Sequence, residues 1–194
     1  MGDPRRLHVI TALAILALTA GLVAGCGGGD DGAAADERDS DAEIVNVSIG
    51  QELTLIRAYT LAVPLLGGEA RAAARLFRAH EREHVNGLTK TIRGLGRDVE
   101  AEAEEVDLSA AESERDVLLR LYEMTSRQLT SYLEDVPHLE TPAPQAFAAS
   151  IAANQAQHLV VLRELLGARP VAAVPDAFDT GEVPPPGESD SGGE

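Results

Sequence analysis

The sequence predicts an all-α protein, a four-helix bundle of about 125 residues with shorter flanking segments, and three observations carry that reading. No run between residues 42 and 168 alternates apolar and polar side chains with the period of two that a half-buried strand needs. Four segments instead space their apolar residues three and four apart, which lines one face of a helix. Composition agrees: aromatics are 3% and Trp is absent. The core must therefore be aliphatic and rich in alanine, which suits close helix packing better than a sheet of β-branched and aromatic residues.

The flanks come first in the chain. Arg5 and Arg6 precede an apolar run from Val9 to Val23, the order of an export signal. Val23, Ala24, Gly25 and Cys26 resemble a bacterial lipobox, in which the cysteine becomes the lipidated first residue. Residues 1–25 are thus expected to be a lipoprotein signal peptide and Cys26 the lipidation site. That arrangement implies an extracytoplasmic chain, lipid-anchored to the bacterial cell membrane. Cys26 is the only cysteine, so it has no disulfide partner within the chain. Residues 26–41 are rich in Gly, Ala and Asp with no apolar period, and read as a flexible tether. Residues 169–194 are rich in Pro, Gly and acids and read as a disordered tail. The bundle occupies residues 42–168.

Four helices fill it. The first, about 42–66, aligns Val45, Ile49, Glu52, Ile56, Tyr59 and Val63 and ends at Pro64 and Gly67-Gly68. The second, about 69–95, aligns Ala74, Phe77, Glu81, His84, Leu88 and Leu95 and stops at Gly94 and Gly96. The third opens with Ser109 to Glu112, which has the form of a capping box, and runs through Leu118, Tyr122 and Leu129 to about residue 134. The fourth starts with Thr141 as N-cap and Pro142 at its first turn, aligns Ala148, Ile151, Gln155, His158, Leu162 and Leu165, and ends at Gly167.

The formal net charge is −16; removing residues 1–25, which carry Asp3, Arg5 and Arg6, takes it to −17. Nucleic acid is thereby excluded as a partner, because phosphate backbones are bound through clustered Lys and Arg, and Lys90 is the one lysine. Self-association into a homodimer and an envelope protein partner stay open.

Three of the apolar stripes are interrupted at mid-length by residues that can bind metal. A buried carboxylate without a partner costs several kcal/mol, so such positions ask for a cation, either a metal or a buried arginine such as Arg57 or Arg78. E-x-x-H puts a carboxylate and an imidazole on one helix face, about 5–6 Å apart at Cβ, within reach of one ion. "EREH" supplies Glu81 and His84 in the second helix, and "QAQH" supplies Gln155 and His158 at the same spacing in the fourth. Glu52 lies about as far before the Gly67-Gly68 turn as Glu81 and His84 lie after it, which brings them level in an antiparallel pair. The same reckoning from the third turn lands near Glu123, although Glu114 fits the apolar phase of that helix better.

At these residues the chain resembles the ferritin-like superfamily, in particular exported bacterial ferritin-like proteins. The likeness rests on "IGQELTLIRAY", "FRAHEREHVNGL", the helix around Glu123 and "NQAQHLVVLRELLG". It implies a ferritin-like four-helix bundle in which Glu52, Glu81 and His84 hold one metal and Glu123 and His158 a second. It further implies iron or manganese as cofactor and redox chemistry with dioxygen or peroxide. Gln155 departs from the pattern, since a neutral amide replaces the usual bridging carboxylate, so the second position is weakened.

A zinc-peptidase reading competes, because "HEREHVNGLTK" contains H-E-x-x-H with a glycine at the expected spacing. Lys90 stands where the third histidine would be, and no strand is evident to align a substrate. A metal-free helical module that binds an envelope partner is the other alternative. The segment "RDVEAEAEEVDL" is long enough, at about 3.3 Å per residue, to span the bundle as a crossover, or it could extend a helix.

Overall fold

The computed structural model describes residues 30–168. Residues 1–29 and 169–194, with the expected export signal, Cys26 and acidic tail, lie outside them. Four helices occur among the described residues: α1 (Asp30–Ala62), α2 (Gly68–Gly94), α3 (Glu114–Asp135) and α4 (Pro142–Leu165), with 3-10 turns at Val63–Leu65 and Val136–His138. No strand occurs among the described residues.

Topology follows from which helices touch and how the crossover runs. α1 packs on α2 and α3, and α4 packs on the same two, so α2 and α3 occupy opposite corners of the bundle. Residues 95–113 join them by climbing the length of α1. Asn46 Oδ1 accepts from the backbone N–H groups of Glu100 at 3.0 Å and Ala101 at 3.1 Å. Thr54 Oγ1, two turns further up, accepts from Glu104 N at 2.9 Å. Gly67 N, at the top, donates to Glu114 Oε2 at 2.6 Å. The segment lies close on the helix, since a Cβ on Gly50 would meet the Glu102 carbonyl at 3.3 Å. α3 therefore starts beside the α1–α2 turn and runs parallel to α2, and the extended-crossover option left open by the sequence is the one adopted.

Each predicted stripe faces the core: Val45, Ile49, Glu52 and Tyr59 on α1, Ala74, Phe77, Glu81 and Leu88 on α2, and Ala148, Ile151, Gln155, His158 and Leu162 on α4 are all buried. Three local expectations are corrected. First, α1 begins at Asp30, so the expected tether 26–41 is helical from that residue onward. Its sequence, "DDGAAADERDSD", lacks an apolar period but holds helix-forming Ala, Glu and Arg with acids favoured near the N-terminus. Propensity and the Arg97–Asp39 ion pair support an extension whose side chains are mostly exposed. Second, the capping box of α3 is Ser113 with Asp116, not Ser109 with Glu112: Ser113 Oγ accepts from Asp116 N and the Asp116 carboxylate accepts from Ser113 N. Third, Thr141 precedes α4 without a side-chain cap. Asp41, fully buried on α1, holds that turn instead, accepting from Glu140 N and Thr141 N at 2.8 Å each.

The helix exits use glycine where a left-handed backbone is required. Gly96 (φ 83) and Gly167 (φ 97) follow α2 and α4. In each case the next residue's N–H returns to a carbonyl of the last turn, Arg97 to Ile92 and Ala168 to Arg163, closing the helix end.

Candidate metal centre

Glu52 on α1 and Glu81 and His84 on α2 meet in the middle of the bundle. Both carboxylates have no exposed surface. His84 Nδ1 lies 2.9 Å from Glu81 Oε2 and 3.2 Å from Glu52 Oε2. One potential ligand atom from each residue falls within 4.8 Å of the others. Tyr132 on α3 donates its hydroxyl to Glu52 Oε1 at 2.7 Å, and Gln155 on α4 donates its amide to Glu81 Oε2 at 2.8 Å. All four helices thus reach the cluster.

His158 lies on the α4 side, its ring stacked on Phe77 with centroids 4.0 Å apart. Its Nδ1 contacts Gln155 Oε1 at 3.2 Å and is 3.3 Å from Glu81 Oε1. That second approach is close enough for an ion pair but not aligned to bond, and Glu81 Oε1 has no hydrogen-bond donor. His158 Nε2 meets His80 Nδ1 at 2.9 Å.

Glu123 does not join this group. It is exposed on α3 and pairs with Arg120 at 3.2 Å. Its axial level suits the site, but it follows the buried Tyr122 by one residue, about 100° around the helix, and so faces outward. The inward positions of α3 near this level are Thr125, Gln128 and Tyr132, all buried, and none is a carboxylate. Glu114, the alternative, is at the start of α3 bound to Gly67 N. Tyr132 was missed by sequence reasoning, and His80 was read only as the first histidine of H-E-x-x-H, not as a partner of His158. The phase of α3, which runs Leu118, Tyr122, Thr125, Leu129, Tyr132, was the signal for the first. The i, i+4 spacing of His80 and His84 was the signal for the second.

The H-E-x-x-H reading is not supported by the geometry, because its two histidines are committed to different partners, His80 to His158 and His84 to the two glutamates. The grouping that could hold an ion omits His80.

Electrostatics follow from burial and pairing. Burial pushes Glu52 up to about 8; the His84 hydrogen bond opposes that rise and the Glu81 charge adds to it. For His84 burial acts downward, but the bonds to Glu52 and Glu81 together outweigh it and raise the group to about 9. Burial, with the neighbouring His84 charge, takes His158 down to about 3. Burial and then His158 lower His80. The Tyr59 and Tyr132 hydroxyls are pushed up by burial and by the adjacent glutamates, so both remain protonated donors.

Two water-excluded carboxylates around one imidazole, with Glu81 Oε1 lacking any donor, form a donor set that suits one divalent cation: hard oxygens for charge and one nitrogen. A second ion would need a further carboxylate beside Glu81, and the side chain there, Gln155, is an amide.

A closed bundle with a long crossover between its middle helices, carrying carboxylates and histidine at mid-height, defines the ferritin-like class of helical proteins. The family model described as a ferritin-like domain matches residues 40–168, and the chain belongs to that family. Among solved structures, the chain is similar to a conserved hypothetical protein from Mycobacterium tuberculosis, with 20% identity, TM-score 0.61, and coverage of 74% of this chain and 99% of that one. It is also similar to a protein described as ferritin-like, diiron-carboxylate, from Bacillus anthracis str. Ames, with 19% identity, TM-score 0.58, and coverage of 67% of this chain and 97% of that one. At these identities the likeness is one of fold. No curated protein matches the chain.

Proposed function

We propose that this ferritin-like protein resides at the bacterial cell envelope, lipid-anchored through Cys26, and binds a single iron or manganese ion through Glu52, Glu81 and His84. The observation that carries the reading is the convergence of two fully buried carboxylates and one imidazole, with a potential ligand atom of each within 4.8 Å of the others. Bound iron or manganese would supply one-electron chemistry toward dioxygen or peroxide. The chain's own residues hold the ligands ready: Tyr132 fixes Glu52, Gln155 fixes Glu81, and buried Phe77 stacks on His158 beside them. A storage cage is not part of the proposal, since a lipidated N-terminus and an acidic tail would hinder a closed shell.

One observation favours a second reading. Protonated His84 can itself balance the glutamates, which suits a metal-free module for an envelope partner. Elemental analysis of the full chain, purified in mild detergent, separates the two. About one iron or manganese per chain, lost in both Glu81→Ala and His84→Ala, is the expected result. No bound metal after anaerobic loading with Fe²⁺ and Mn²⁺ defeats the metal reading and leaves the module. For the anchor, radiolabelled palmitate is expected on Cys26 and absent from Cys26→Ser; an unlabelled, freely soluble wild-type chain would defeat it.

A further inference from the structure

His158 stands where E-x-x-H spacing would put a ligand, yet both nitrogens of its ring are engaged. The direction of each bond follows from the one group that only accepts. A carboxylate carries no proton, so the Gln155 atom 2.8 Å from Glu81 Oε2 is the amide nitrogen. The Gln155 atom facing His158 Nδ1 at 3.2 Å is then the carbonyl oxygen, which accepts from an Nδ1–H. With its hydrogen on Nδ1, His158 has a lone pair only at Nε2. There His80 Nδ1 sits 2.9 Å away. The two rings are 16° from parallel with centroids 5.2 Å apart, an edge-to-edge contact in which the nitrogens point at each other. That is a hydrogen bond, not two ligands converging on an ion. Phe77 stacked on the His158 face opposes any rotation of the ring.

We propose that His80 is a specificity-determining residue of the metal centre: by donating to His158 Nε2 it keeps the His158 hydrogen on Nδ1, the nitrogen that faces Glu81 and Gln155, and so restricts the pocket to one ion. The chain His80 to His158 to Gln155 to Glu81 runs in a single sense and ends on the carboxylate that the ion shares, so it occupies the α4 side with organic donors where a second ion would otherwise bind. Gln155 is, on this view, a link in that chain and an orienting donor for Glu81. The half-exposed His80 acts through His158 without touching the ion, which makes it a positioning residue. The inference rests on the Glu52–Glu81–His84 reading and adds the residue that keeps the α4 side of that site closed to a second ion.

Two measurements on the full chain in detergent test it. Nitrogen-15 correlation spectra of the metal-free protein are expected to show His158 protonated at Nδ1 with a hydrogen-bonded Nε2, and the Nε2 signal is expected to shift in His80→Ala. Titration with Mn²⁺ under anaerobic conditions is expected to give one ion per chain in the wild type, in Gln155→Glu and in His80→Gln, whose amide can still donate to Nε2. The double variant His80→Ala with Gln155→Glu is expected to take two, because it lets the His158 hydrogen leave the site-facing Nδ1 and supplies a carboxylate beside Glu81. Two ions in the wild type, a proton on Nε2, or one ion in a double variant that keeps its helical circular dichroism would each overturn the inference while leaving the metal site standing. Failure of the wild type to bind any ion would instead overturn the metal site itself, and this inference with it.

Discussion

Proton release on metal binding is the sharpest consequence of the site. In the metal-free protein burial takes Glu52 up to about 8, and the bonds to both glutamates take His84 up to about 9, so each holds a proton at neutral pH. Only a bare carboxylate and a neutral imidazole can ligate, so an ion bound by these residues must expel both protons. Exchanging two protons for a divalent ion leaves the net charge of the buried pocket unchanged, which lowers the desolvation cost of binding. Each expelled proton makes affinity rise tenfold per pH unit, so the Kd for Mn²⁺ should fall about 100-fold between pH 6 and pH 7 and level off near pH 9. Calorimetry in buffers of different ionisation enthalpy measures the proton count directly, with about two expected in the wild type. Glu52→Gln should reduce that count to about one and the change in Kd to about tenfold. A Kd that stays constant from pH 6 to pH 7, or binding without proton release, would refute the reasoning.

Stability makes further tests. Tyr132→Phe removes the 2.7 Å bond to buried Glu52, leaves that oxygen without its donor and should cost about 1–3 kcal/mol in urea unfolding; a change below about 0.5 kcal/mol would contradict that geometry. Asp41→Ala deletes the two bonds that hold the α3–α4 turn and should cost about 2–4 kcal/mol, with the loss also visible as faster amide exchange at Glu140 and Thr141. A Cβ on Gly87 would lie 2.1 Å from Phe147 Cζ, so Gly87→Ala should destabilise by about 1–3 kcal/mol and Phe147→Ala in the same chain should recover part of the loss. Folded-state pKa values raised from 4.5 to about 8 for Glu52 and from 6.5 to about 9 for His84 mean that their stabilising share is lost as pH rises through those ranges, most steeply where they overlap, between 6.5 and about 8. His158, lowered from 6.5 to about 3, has the opposite sign, and its share is lost as pH falls across that range. Thermal melts of the metal-free chain should therefore fall away above pH 6.5, and His158→Gln should soften the decline on the acid side; a melting temperature independent of pH from 6.5 to 9 would contradict the assignment.

What the sequence alone determined was everything carried by local period and spacing. Stripes three and four residues apart placed four helices on their faces, because a helix cannot bury one side without repeating it. The pairing of Glu52 with Glu81 and His84 was legible too, since the α1–α2 turn is short and equal counts on either side of it land at one height. Excess negative charge and a single lysine are the ground for expecting no nucleic-acid partner. The tertiary structure decided what depends on long-range contacts. Glu123 was chosen by height, but angular position, fixed by how α3 docks, turned it outward and brought Tyr132 in. Asp41 was read as tether because the helical period begins only after it, yet it caps a turn about 100 residues away in sequence. The crossover's route along α1 follows from Asn46 and Thr54 capturing its backbone N–H groups, a pairing without any local signature. His80 and His158, 78 residues apart in sequence, meet only because α2 and α4 pack side by side; spacing within one helix fixes which residues share its face, and packing between helices fixes what that face meets.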